Sequence, residues 1–201
     1  MKSTSTASTA KSELLEAARQ TLMLEGYSGL STRRVAEAAN TQMSQIQYHF
    51  GSKEGLILAL FADMNETLLH RQDRLLEQER MSFSDRWEIA CDYLEEDILS
   101  GYVRVLQELM AAGWSNPRIR KVVVEGLNGW QDVLRRFGRQ AEVELGSLGP
   151  FTVDDFAALA ASAFLGAESM GLLGIDAKAV PIKTSLRKVS ELFRMIENQS
   201  G

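Results

Sequence analysis

Apolar residues recur at helical spacing along most of the chain, and no stretch of useful length alternates as a strand would. Leu14, Ala18 and Leu22 form one stripe, which Gly26 stops, predicting a first helix over residues 11–25. Val35, Ala36 and Ala39 line one face of a short second segment, and Ile46 and Phe50 line one face of a third. Between them Asn40 suits the left-handed conformation that ends one helix, and Thr41 can cap the next. Alanines at 36, 38 and 39 let these two segments cross closely. Phe50-Gly51-Ser52 is a break, and Ser52 can cap a fourth helix over residues 53–80. That helix is apolar on one face through Leu56, Leu60, Met64 and Leu68 and heavily charged in its second half.

Further along, Ser84-Asp85 restarts the chain as a helix through Trp87, Ala90, Cys91 and Leu94, which Gly101 bends or splits before residues 103–112. Residues 113–117 read as a turn, residues 118–145 as a long helix and residues 146–150 as a loop. A helix over 151–173, with Thr152 as its cap, a connector over 174–180 and a last helix over 182–198 complete the pattern. The fold class is therefore all-α, with about nine helices and no internal repeat. Residues 1–10 are polar and of low complexity, which predicts a flexible arm. Lys2 could carry that arm to a nucleic-acid backbone or minor groove, although a start without function is the simpler reading. A small head over residues 11–55 precedes a larger domain over 56–201.

The outward face of the third segment carries Gln42, Ser44, Gln45, Gln47, Tyr48 and His49, with no acidic residue from 42 to 50. A short helix that is apolar behind and amide-rich in front suits the DNA major groove, where Gln pairs with base edges and Tyr reaches phosphate. In a helix-turn-helix the N-terminal turn of the second helix lies deepest, which puts Gln42, Met43, Ser44 and Gln45 nearest the bases. Gln45 can pair with adenine. Met43 can meet a thymine methyl or, alternatively, cap the core behind it. Tyr48 and His49, further along, are placed for backbone contacts.

The same stretch resembles the DNA-binding domain of the TetR family of transcriptional regulators. The elements that carry the resemblance are Gly26-Tyr27 after the first helix, Thr32 opening the second, and Val35-Ala36 with Ala39 inside it. Ile46, Tyr48-His49-Phe50 and then Ser52-Lys53-Glu54 with Leu56 complete them, over roughly a quarter of the chain. Three positions depart from the family pattern: Asn40 stands where Gly is usual, Thr41 where Val or Ile is usual, and Gln47 where Tyr is usual. The last change weakens an expected phosphate contact, which the Gln47 amide replaces in part. The resemblance implies that Arg33 lies near the groove, that Thr32 caps its helix and touches backbone, and that Lys53 holds a phosphate at the start of the fourth helix. Arg34 is then a solvated neighbour.

Composition changes the picture in two places. The chain has 201 residues, and its net charge of −5 looks unfavourable for a DNA binder. Divided, residues 1–55 carry six Lys/Arg against five Asp/Glu, so the acidic excess lies in the remainder. A head of net +1 implies modest non-specific affinity, so two heads are needed for tight binding. No apolar run reaches membrane-spanning length, the start lacks the apolar core of a signal peptide, and the single Cys91 excludes an internal disulfide. A cytoplasmic location is expected.

The larger domain shows no catalytic constellation, so no enzyme, cofactor or metal is expected. Glu66 and His70 share a helix face near Asp73, but the repeated Glu-x-x-His of a di-metal bundle is absent. Asp92, Glu95, Glu96 and Asp97 read as a solvated acidic face, and Cys91 as a core residue. Trp87, Tyr93, Tyr102, Met110, Trp114, Trp130 and Phe137 are ordinary core or, as the resemblance implies, a pocket for a small apolar or aromatic effector. Small residues at 157, 158, 160, 161, 163, 166, 167 and 171 and an apolar last helix (Leu186, Val189, Leu192, Phe193, Ile196) fit either burial or, as in the family, a two-fold four-helix interface. The expectation is a homodimeric, ligand-released repressor of a palindromic double-stranded operator, with the fourth helix as lever and no membrane partner. An activator of the same fold, or a helical small-molecule-binding protein whose DNA head is non-functional, are the alternatives.

Overall fold

The computed structural model describes residues 3–78, 80–176 and 178–200, which form nine α-helices and no strand. In chain order these are α1 (Ser3–Gly29), α2 (Thr32–Ala38), α3 (Met43–Phe50), α4 (Lys53–Leu76) and α5 (Phe83–Ser100). After them come α6 (Tyr102–Gly113), α7 (Pro117–Leu145), α8 (Val153–Leu172) and α9 (Ile182–Ser200). Among the described residues no helix is long and apolar enough to cross a membrane. The chain divides into two compact units, one of residues up to Asn65 with Arg104–Val123, the other of Glu66–Val103 with residues from Val124 onward. The division thus falls inside α4, beyond residue 55, and most of α6 joins the head.

In the first unit α1 packs on α2 and α2 on α3. Leu14, Ala18, Leu22, Val35, Ala36, Ile46, Leu56 and Leu60 are buried. α1 begins at Ser3, so residues 3–10 continue a helix instead of forming a flexible arm; Lys2 lies outside the described residues. Its helical geometry breaks at Gly26 (φ 72°, ψ 179°), a conformation closed to most side chains. The freed backbone there is held by α6: Arg104 donates to the Met23 carbonyl (2.8 Å), and the Tyr27 N–H donates to Glu108 (3.2 Å). Asn116 and Arg118 in turn hold Glu54 of α4, at 2.7 and 3.2 Å.

In the second unit α5 packs against α8 and α9. Phe83, Trp87, Phe137 and Phe164 lie in one buried cluster, packed edge to face with ring centres 5.0 Å apart between Phe83 and Phe137 and 5.7 Å apart between Trp87 and Phe164. The Trp87 indole N–H donates to the Leu186 carbonyl of α9 (2.7 Å), and Glu197 of α9 accepts from both the Ser84 N–H and hydroxyl at the start of α5. Arg86, 2% exposed, is satisfied by Gln140 (2.7 Å) and Glu144 of α7. Gly101 (φ 88°) splits α5 from α6 as expected. α4 stops at Leu76, short of residue 80: Leu75 and Leu76 are its last buried pair, and the charged residues after them have no apolar face to dock.

Candidate nucleic-acid interface

α3 is held from behind and free in front. Ile46, 1% exposed, is its anchor, while Gln42, Met43, Ser44, Gln45, Gln47 and Tyr48 are all exposed and His49 is half-buried. Met43, over half exposed, does not cap the core, which leaves the outward role for it. Tyr48 and His49 meet edge-on at 4.9 Å, so two ring edges stand together toward the C-terminal end of the outward face.

The turn before α3 is set locally. Asn40 takes the left-handed conformation (φ 49°), and the Thr41 N–H closes back onto the Ala36 carbonyl at 2.9 Å. The capping residues differ from the sequence expectation at two helices. Ser31, one residue before Thr32, accepts from the Arg34 N–H (3.3 Å), so Thr32 opens α2 and does not cap it. Gln42, not Thr41, is the residue before α3, and its side chain makes no cap bond. The first-turn N–H groups of α3 are therefore left without a side-chain cap, a favourable arrangement opposite an anionic backbone. Ser52 caps α4 as expected, accepting from the Gly55 N–H at 3.0 Å.

The three cations nearest this face, Arg33, Arg34 and Lys53, are engaged within the head. Arg33 pairs with Glu37 (2.9 Å) and Arg34 with Glu25 (2.5 Å), both on the surface. Lys53 donates to the Tyr27 carbonyl (2.9 Å) and stands 4.9 Å from the centre of that ring. These are exchangeable contacts: a surface ion pair is worth about 0–1 kcal/mol, less than a phosphate partner offers at low salt. A polar depression of about 480 Å³ adjoins the face, lined by Ala10, Glu13, Asn40, Thr41, Gln42 and Gln45 among others.

In the second unit the expected pocket residues do not form one set. Trp87, Trp130 and Phe137 come together with Gln72 and Phe164 around a crevice of only about 10 Å³. Tyr93 lies beneath the Arg71 guanidinium at 4.0 Å, and Tyr102 is buried at the start of α6. Met110 and Trp114 fall in the first unit, and Trp114 is 79% exposed. The acidic face is not uniformly solvated either. Asp97 is buried and takes Arg71 Nη2 at 2.7 Å through both oxygens, because Arg71 of α4 reaches across to α5. Glu96 pairs with the same arginine at 3.1 Å, and Asp92 with Arg187 at 2.5 Å. Cys91 is core as expected, its thiol pushed up to about 12 by burial. His70 and Glu66 face solvent 3.7 Å apart, and Asp73 pairs with Arg136.

Two features went unread in the sequence: Arg71 as the partner of Asp97 and Glu96, and the enclosed, unpartnered Oε2 of Glu168, the sole charge between Asp155 and the end of α8. That isolation in an apolar helix was a usable signal.

Residues 14–60 match the family model described as bacterial regulatory proteins, tetR family. Over 50 residues, 25% of the chain, the sequence is 44% identical to the HTH-type transcriptional repressor AcnR of Corynebacterium glutamicum. The match spans 27% of that relative's length. In fold, the chain resembles the transcriptional regulator FadR from Bacillus subtilis, solved in complex with stearoyl-CoA, with a TM-score of 0.73 at 15% identity over 90% of this chain and 96% of that one. A TetR-family regulator from Agrobacterium tumefaciens gives a TM-score of 0.75 at 16% identity over 90% and 97%. Residues 14–60 thus carry the match to the TetR-family model, and the chain shares its all-helical fold with these solved regulators.

Proposed function

We propose that the protein is a transcriptional repressor that binds a palindromic operator as a homodimer and leaves it when a small apolar or aromatic effector enters the larger domain. The observation that carries this reading is the face of α3: anchored by buried Ile46, presenting exposed amides and hydroxyls with no carboxylate. Gln42, Met43, Ser44 and Gln45 read bases there. Gln47, Tyr48, His49, Thr32, Arg33 and Lys53 hold the backbone, the two cations exchanging their internal partners for phosphate. The repressor relative and the family of the head support the direction of control.

Pairing is supported by α8 and α9, where Leu159, Leu192 and Met195 are more than half exposed, with an apolar groove of about 440 Å³ beside them. Monomers rarely leave such a surface to water, and two-fold pairing would set two heads about 34 Å apart on one DNA face. An effector role is supported by the stearoyl-CoA complex of a protein with this fold.

Selection from a random DNA pool, followed by fluorescence anisotropy across a salt series, tests the reading. A two-fold symmetric consensus bound by two chains is expected. A monomer indifferent to every duplex refutes it.

A further inference from the structure

From Phe156 to Leu172 α8 is built of small, apolar and hydroxyl-bearing residues apart from Glu168. Its Oε2 is enclosed and has no hydrogen-bond partner. A Met or Leu would fill that volume without stranding a carboxyl oxygen, so packing alone does not account for the residue. Burial, followed by the charge of Asp97, pushes the Glu168 acid up to about 8.

The surroundings are acidic and aromatic. On α5, Asp97 and Glu96 engage the Arg71 guanidinium, which also stacks 4.0 Å over Tyr93. Arg71 Nε is likewise enclosed without a partner. Tyr102 on α6 has its hydroxyl held well above its usual range by burial first, then by the charges of Glu168 and Asp97. Trp130 of α7 meets Phe164, one turn before Glu168, with ring centres 6.0 Å apart. The groups that act on Glu168 are Asp97 from α5 and Tyr102 from α6, and Arg71 from α4 lies on the far side of Asp97 with Glu96 and Tyr93. The Arg71 guanidinium is committed to Asp97 and Glu96, and Glu168 Oε2 has no counter-charge bonded to it.

We infer that Glu168 anchors a positively charged effector, an amine or quaternary ammonium with an apolar body. The inference rests on the effector reading above and names the ligand's charge. A cation supplies the counter-charge that Arg71 does not, and ring faces accept its alkyl or aryl shell. An anionic ligand meets Asp97 and Glu168 and finds Arg71 already taken. The crevice lined by Gln72, which follows Arg71 in sequence, and by Phe164 measures about 10 Å³ and admits no ligand as it stands. Entry therefore parts the aromatic core, which is how occupancy becomes a change of shape. Entry of a cation also ionises Glu168, so a proton leaves as the ligand binds.

The test is calorimetric titration of the full chain with benzyltrimethylammonium and with its neutral carbon isostere, neopentylbenzene, at pH 6 and pH 9. The cation is expected to bind at least tenfold tighter than the isostere. Its affinity should rise by about 100-fold between the two pH values as Glu168 ionises freely. Glu168→Gln should abolish both preferences, and its thermal melt shows that it folds. Equal affinity for the two probes, pH-indifferent binding, an unchanged Glu168→Gln variant, or no binding by either probe overturns the inference. DNA anisotropy without probe judges the operator reading separately. Release of DNA by the neutral isostere alone would keep effector control and discard the charge.

Discussion

α3, of 8 residues, and α8, of 20, place polarity on opposite sides of the water boundary. α3 turns Gln42, Gln45, Gln47 and Tyr48 outward and buries only Ile46, so its polar groups cost folding nothing. α8 buries Ala157, Ala160, Phe164 and Ala167 and sets one carboxyl group among them. Exposed amides are tolerated anywhere, so the meaning of α3 comes from their pattern and the missing carboxylates. An acid with an enclosed, unpartnered oxygen is opposed by folding itself, so a single residue carries meaning in α8.

The largest expected effect on the head separates the anchor of α3 from its face. Ile46→Ala should destabilise the protein by about 2–4 kcal/mol, seen as a lowered melting temperature, and lose operator binding with it. Gln45→Ala should shift stability by less than about 0.5 kcal/mol. Equal melting losses would mean that the face also packs, and the contrast drawn for α3 would fail.

On the α8 side, Glu168→Gln should raise stability in alkali. The native acid titrates near 8 against an ordinary value of 4.5, so the folded state keeps its proton longer. Stability is then highest below about pH 4.5 from this group and falls as pH rises to about 8, by an amount on the order of 5 kcal/mol. The variant should match the wild type near pH 5 and exceed it near pH 9 in denaturant titrations. Parallel curves for the two proteins would show that Glu168 is solvated.

Locally encoded features were legible in the sequence. Asn40, Ser52, Gly101 and Thr152 each end or begin a helix by their own backbone preference or side-chain reach, and each does so in the structure, whereas Gly26 breaks α1 without ending it, the helix running on to Gly29. Features decided by distant partners were not. Asp97 reads as one of four surface acids until Arg71, from another helix, meets it at 2.7 Å. The aromatic residues read as one pocket set because composition does not say that Met110 and Trp114 join the other unit. The end of α4 was misjudged because charged residues favour a helix, whereas burial of Leu75 and Leu76 decides where it stops. For the outward face of α3, the exposed amides and the buried Ile46 were legible from spacing, but the internal partners of Arg33, Arg34 and Lys53 were not.

Those partners bear on a smaller prediction about DNA affinity. Gln45→Ala should cost about 1–3 kcal/mol at one base pair in each half-site and leave other sequences nearly unchanged. Lys53→Ala should weaken all sequences alike and flatten the dependence on salt, measured by anisotropy from low to physiological ionic strength. Identical losses on matched and scrambled DNA for both variants would remove the division between reading and holding.

The smallest effects compare the caps of the two regions. Thr152 and Asp155 form a reciprocal pair, the Thr152 N–H donating to Asp155 at 2.9 Å and the Asp155 N–H to the Thr152 hydroxyl at 3.1 Å. Ser31 makes a single, longer bond of 3.3 Å to the Arg34 N–H. Thr152→Ala should therefore cost about 1 kcal/mol, whereas Ser31→Ala should cost about half that. Thr32→Ala should cost least, since its hydroxyl lies one residue inside α2 and Ser31 holds the cap. Thermal melts of the three variants give the order directly. A loss for Thr32→Ala larger than for Ser31→Ala would move the start of α2 by one residue, and with it the register of Arg33 on that helix.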